Sequence, residues 1–186
     1  MYNQDKESIL KTEPNWLEDR QTYERLILEE LKTESFTASI CSPEIYDIQQ
    51  LINLEYTCFP TDRLSRKEFA KAIKSDKSFF KIVIVEKVIV AYIICAILPV
   101  SKRMRIYSIG VHPSYRNYSI ARTLIDRAEK YAIEIGMTEL YLEVDCQNES
   151  AIKLYESIGF TQFSTYKEYY ENGNDAIRYK KLLEQL

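Results

Sequence analysis

The sequence predicts a single α/β (α+β) domain built around one mixed β-sheet of about seven strands, flanked by about four helices. Its 186 residues suit one domain, and a 46% hydrophobic share is enough to fill a core. Short Val- and Ile-rich runs with strand character alternate irregularly with segments of helical period. The order is strand, two helices, three strands, helix, strand, helix, two strands, which breaks the strict alternation of a doubly wound parallel sheet.

Residues 1–35 are polar and acidic and read as an N-terminal extension, partly helical or disordered. Within it, residues 15–34 space Trp16, Tyr23, Leu26, Ile27 and Leu31 as on one face of an amphipathic helix. Residues 36–186 form the folded domain. Residues 36–41 read as the first strand. Pro43 opens a helix to about Cys58, with Ile45, Ile48, Leu51, Ile52 and Tyr56 expected on one face. Residues 59–64 turn the chain. Ser65 caps a second helix, with Glu68 completing a capping box. Residues 79–85 and 88–98 are strands joined by a hairpin tip at Glu86-Lys87. Residues 105–111 form another strand. Residues 119–135 form a helix that turns Ala121, Leu124, Ile125, Ala128, Ala132 and Ile135 toward a sheet and stops at Gly136. Residues 138–145 alternate as a strand, residues 148–158 form a helix stopped by Gly159, and residues 161–170 and 175–183 are the last two strands.

Composition removes several function classes. Lys plus Arg total 25 against 28 Asp plus Glu, a net charge of −3. No basic field is present to grip a phosphate backbone, so no nucleic-acid partner is expected. The four cysteines form no CxxC pair and read as reduced thiols of a cytoplasmic protein. The first residues lack the apolar region of a signal peptide, and the longest apolar stretch, residues 88–98, is too short to span a bilayer. No membrane partner is expected. His112 is the single histidine, which excludes a multi-histidine metal site. Acid–base work falls to Glu, Asp, Tyr or water, and no metal is expected.

Two stretches carry chemistry. In residues 106–124 a hydrophobic strand ends in a tight turn that feeds a helix with small residues at its start. Unpaired N–H groups at a helix start bind phosphate, and Arg116, Asn117 and Arg122 add donors around it. An ordinary strand–loop–helix capped by Ser119 gives the same pattern. In residues 140–160, Glu143 lies on a strand, Asn148 opens a helix, and Tyr155 follows two turns later on the same face. A carboxylate and a phenol can converge there on one cleft. A surface acid, an N-cap and a core tyrosine account for the same three residues.

Taken together, these stretches carry a resemblance. Arg116-Asn117-Tyr118-Ser119-Ile120-Ala121 resembles the Q/R-x-x-G-x-G/A signature of the GNAT acetyltransferases, and it follows Val111-His112-Pro113 as in that superfamily. Residues 148–155 with Gly159-Phe160 are similar to its N-x-x-A-x-x-L-Y…G-F segment. Tyr169-Tyr170 with Asp175-Ala176, and Phe59-Pro60 with Phe69, resemble its RimI-like branch, which acetylates ribosomal-protein N-termini. Serine stands at position 119 where the family has glycine, alanine at 121 is a usual variant, and His112 replaces the usual acid.

The resemblance, over residues 36–183, implies acetyl-CoA lying between splayed strands 105–111 and 138–145. Backbone groups of Ile109, Gly110 and Val111 would pair with its pantetheine. Residues Arg116, Asn117, Tyr118, Ser119, Ile120, Ala121 and Arg122 would hold the pyrophosphate, and Asn148 would contact the cofactor. Glu143 matches the base and Tyr155 the acid. Transfer would be direct, with Cys146 as inert filler. The implied acceptor is the α-amine of a protein or peptide. Alternatives are a small-molecule amine such as a polyamine, amino acid or antibiotic, or acyl-CoA binding without turnover. The chain would act as a monomer or homodimer.

Overall fold

The computed structural model of the chain describes residues 29–32 and 35–184. Eight strands form one sheet: β1 (Glu29–Lys32), β2 (Thr37–Cys41), β3 (Ser78–Val85), β4 (Val88–Leu98), β5 (Arg103–Val111), β6 (Glu139–Asp145), β7 (Thr161–Tyr166) and β8 (Ala176–Leu182). Their order across the sheet is β1-β2-β3-β4-β5-β6-β8-β7. Among the described strands only β5 and β6 pair in parallel; the other neighbours are antiparallel. Among the described residues four α-helices flank the sheet: α1 (Ile48–Cys58), α2 (Arg66–Lys74), α3 (Ile120–Glu134) and α4 (Glu149–Ser157).

The expected elements appear in the expected order, with three corrections, of which the shortest is that β7 ends at Tyr166 and residues 167–170, read as its continuation, leave the sheet. Residues 29–32, read as the end of a helix, form β1 and pair with β2 from Glu29–Ile40 to Lys32–Thr37. The earlier part of that expected helix lies outside the described residues. In α1 the buried face is Ile48, Leu51, Leu54 and Glu55, whereas Ile45 and Tyr56 are exposed. A short 3-10 turn at Ile45–Asp47 precedes α1 and shifts the phase of its stripe.

Local chemistry explains the boundaries. Ser65 and Glu68 form the reciprocal capping box at the start of α2. Glu86 and Lys87 both adopt positive φ, as a tight two-residue hairpin requires. Gly136 and Gly159 end α3 and α4 in left-handed conformation.

The sheet separates two cores. Helices α3 and α4 cover one face through Leu124, Ile125, Ala128 and Tyr155, packed on Ile93, Met104, Ile106 and Leu142. Helices α1 and α2 cover the other face through Leu51, Leu54 and Phe69, packed on Ile82, Tyr92 and Ile94. No helix among the described residues is long and apolar enough to cross a membrane.

Candidate active site

The β5–β6 ladder is short. It runs from Arg103–Glu139 to Ile106–Leu142 and then stops, although both strands continue. A register shift against β4 between Ile94 and Cys95 leaves Tyr107 of β5 without an opposite residue. A bulge of this kind bends and twists the strand that carries it. It parts β5 from β6 and opens a cleft in the middle of the sheet, the splay that the resemblance implied.

The open edge of β5 offers alternate backbone groups. His112 N–H bonds the Val90 carbonyl at 2.8 Å, which makes Val111 and Ala91 a non-hydrogen-bonded pair. Ile109 and Val111 therefore direct their backbone groups into the cleft, while Gly110 spends its own on β4. This corrects the expectation that Gly110 pairs with a ligand. Its glycine has another reason: a Cβ there would lie 2.8 Å from the Tyr92 ring.

The loop after β5 holds the rest of the expected cofactor set. Arg116 turns back so that its Nε donates to the Val111 carbonyl at 3.2 Å. Tyr118 packs edge-on to Phe36, 5.0 Å between centroids. Arg122 binds the Ser157 carbonyl at 3.3 Å and so ties α3 to the end of α4. Ile120 is buried in the core, so only its backbone faces the loop. Ala121 is half-buried. Asn117 and Ser119 both have positive φ, 68° and 59°. The Ser119 side chain makes no capping bond, which corrects its reading as a conventional cap. The first N–H groups of α3 thus remain available to an anion.

A glycine in the family pattern at this position is explained by the backbone. A non-glycine residue in left-handed conformation costs roughly 1–2 kcal/mol, against the roughly 0.5–1 kcal/mol of extra entropy that glycine loses on folding. Ser119→Gly should therefore raise stability by about 0.5–1 kcal/mol and leave acetyl-CoA affinity equal or higher. Urea unfolding and calorimetric titration read the two effects. A large loss of affinity would show that the serine hydroxyl is itself a ligand donor.

Glu143 does not stand alone. Arg105 Nε donates to one carboxylate oxygen at 2.8 Å and Arg178 Nε to the other at 3.1 Å. Only 6% of the Glu143 side chain is accessible. Arg105 also donates to the Tyr169 hydroxyl at 3.2 Å. Sequence reasoning missed both arginines. The signal available was alternation, which puts Arg105, Tyr141, Glu143 and Arg178 on one face of three neighbouring strands.

Tyr155 lies on the opposite face of the sheet, in the α3–α4 core, 5.8 Å from the Phe160 ring. Burial pushes its phenol well above the usual range. Tyr170 is close enough to Glu143 and Tyr155 to feel both. Asn148 caps α4: its Oδ1 accepts from Ala151 N–H at 3.2 Å and from the Ser150 hydroxyl at 3.1 Å. Burial also pushes the Cys58 thiol up to about 11.

A second polar group was not anticipated. The Tyr92 hydroxyl bonds Glu55, whose other oxygen accepts Leu64 N–H at 2.8 Å, and it lies 2.6 Å from Ser108 Oγ. Glu55 is 1% exposed. Its sequence signal was an acid at the position that continues the Ile48–Leu51 stripe.

Comparison with known proteins agrees with this geometry. Residues 45–160 match the model of the acetyltransferase (GNAT) family. The chain belongs to that family. It is an N-acetyltransferase with acetyl-CoA as co-substrate. The N-alpha-acetyltransferase of Saccharolobus solfataricus is 31% identical over 141 residues, covering 70% of this chain and 84% of that protein. That of Sulfurisphaera tokodaii is 28% identical over 148 residues, covering 74% and 88%. Among solved structures, Arabidopsis thaliana Naa50 in complex with the bisubstrate analogue CoA-Ac-MVNAL superposes with TM-score 0.69 at 29% identity, covering 77% of this chain and 97% of that one.

The side chains and backbone present fit acetyl-CoA. The cleft edge of β5 offers the amide groups of Ile109 and Val111 for the pantetheine, and the uncapped start of α3 with Arg116 and Arg122 suits the pyrophosphate.

Proposed function

We propose that the acceptor is the α-amine at the start of a polypeptide chain. The observation that carries this is the openness of the site on the α1–α2 side. There the face of β6, β8 and β7 has no helix over it among the described residues. It presents Phe163 and Tyr166, with Tyr169 of the loop after β7 stacked on Tyr166, beside Arg178, whose guanidinium lies 4.6 Å from the Phe163 ring and 4.7 Å from that of Tyr166. An open strip of this kind suits an extended chain better than a small free amine. Two loops frame its entrance: Glu171 N–H bonds Asp62 Oδ1 at 3.1 Å across 109 residues of sequence. The N-alpha-acetyltransferase relatives and the bisubstrate analogue in the Naa50 structure support the same acceptor. Tyr169 and Tyr170 at this entrance support a RimI-like ending. Free thiols at all four cysteines support a cytoplasmic setting.

In this reading acetyl-CoA supplies the thioester carbonyl. Glu143 takes a proton from the amine nitrogen; an ionised carboxylate keeps acceptor positions beyond the two that the arginines fill. Tyr155 gives its phenolic proton to the departing sulfur. The two groups work from opposite faces of the cleft, so the amine and the sulfur each meet one of them. Acetyl-CoA, a ligand of the native state, should also raise the melting temperature.

The test is coenzyme A release with a peptide panel of varied first residues, each free or blocked at its α-amine. Turnover confined to free α-amines is expected. Preference for a polyamine or a free amino acid would overturn the acceptor, and binding of acetyl-CoA without turnover on any amine would overturn catalysis.

A further inference from the structure

We infer that Ser108, Tyr92 and Glu55 form a proton relay that receives a proton from the acceptor amine. The inference rests on the α-amine reading above and says where a second proton goes. An α-amine has its pKa near 8 and arrives mostly as ammonium at neutral pH. It loses one proton before it can attack and another as the amide forms. Glu143 accounts for one of them.

With Glu55 ionised, the state in which it can take up a proton, counting donors fixes the hydrogen-bond directions in the network. Glu55, ionised, accepts from Leu64 N–H through one oxygen and from Tyr92 through the other. A phenol has a single proton, and Tyr92 spends it on Glu55. The bond between Tyr92 and Ser108 is then donated by Ser108. Among the described residues no other group bonds Ser108 Oγ, which leaves its acceptor side open. Ser108 is half-buried on β5, two residues past the last β5–β6 pair, at the start of the cleft and on the Tyr92 side of the sheet.

Transfer is balanced. The ammonium N–H bond breaks and its proton joins Ser108 Oγ, the serine proton passes to the Tyr92 oxygen, and the tyrosine proton passes to Glu55. The nitrogen keeps its electron pair for attack, and the only net change is a neutral Glu55. Burial raises the affinity of Glu55 for that proton. The groups facing it are Tyr92 on β4, Glu68 on α2, Arg63 in the α1–α2 loop, and Cys58 on its own helix. Gly110 is part of the device, because the Tyr92 ring occupies the space its Cβ would take.

The test compares Ser108→Ala, Ser108→Thr and Glu55→Gln with the wild type on a free-amine peptide at saturating acetyl-CoA. Ser108→Ala and Glu55→Gln should each lower kcat about 10²-fold with KM for the peptide little changed. The double variant should be no slower than either single one, and Ser108→Thr should restore the rate. In the two slow variants, activity should climb about tenfold per pH unit up to the amine pKa near 8, whereas the wild type should level off earlier. Infrared titration of the free enzyme should show a carboxyl band that persists above the ordinary carboxylate range and vanishes in Glu55→Gln.

Wild-type kcat and pH profile in Ser108→Ala would overturn the relay. So would a Glu55→Gln enzyme with lower stability and higher KM but an unchanged pH profile, which would mark a prop for the Leu64 loop. A wild type that turns over no peptide would overturn the acceptor reading instead. In that case a Glu55 titrating with the ordinary carboxylates would separately remove the relay.

Discussion

Tyr155→Phe should lower kcat by about 10²–10⁴-fold, the range of general acid assistance, while acetyl-CoA affinity and thermal stability stay close to wild type. The phenol is 6% exposed and packed on Phe160, so phenylalanine keeps the ring contacts. Its hydroxyl makes no hydrogen bond among the described residues, so none is broken. Burial keeps the phenol protonated, the state in which it can donate to a leaving thiolate. Steady-state kinetics with calorimetric binding in parallel check the result. Normal kcat with normal binding would leave Tyr155 a packing residue.

Glu143→Ala should act on stability as well as rate. Removing the carboxylate leaves Arg105 and Arg178 facing each other, with 28% and 17% of their side chains accessible. Breaking a pair of this kind by deleting one partner costs about 3 kcal/mol, which the urea midpoint will show. Glu143→Gln keeps the shape and offers one amide oxygen to the guanidiniums, so it should lose less stability while still losing turnover. Equal turnover in Glu143→Gln and wild type would remove Glu143 as a proton acceptor and leave it as a clamp between β5, β6 and β8.

The two variants bear on a site that the sequence disclosed unevenly. Local chemistry was legible wherever it decided the outcome. The Ser65–Glu68 box, the Glu86-Lys87 hairpin, the glycines that end α3 and α4, and the strand–loop–helix at 105–122 could all be read from residues within a few positions of each other. What escaped depends on distant partners. Glu29-Glu30-Leu31-Lys32 has the composition of a helix or a tail, and only pairing with β2 makes it a strand. Arg105 and Arg178 meet Glu143 across 38 and 35 residues. Glu55 was passed over because a carboxylate is discounted on an apolar stripe, although the helical period put it there. Ser119 carries no mark in its side chain of the left-handed backbone it adopts.

The short β5–β6 ladder leaves an unpaired strand edge in the interior of an eight-stranded sheet. Such edges ordinarily invite a foreign strand and are hidden or charged to prevent it. Here the exposure is rationed by length. On the β5 wall of the cleft Ile109 and Val111 present their backbone groups, the parallel ladder closes one end, and the Arg116 guanidinium already sits on the Val111 carbonyl at the other. A pantetheine arm carries two amides and can match so brief an edge, but a polypeptide strand needs a longer run to hold. The same break in the sheet that admits the thioester thereby discriminates against aggregation with other chains.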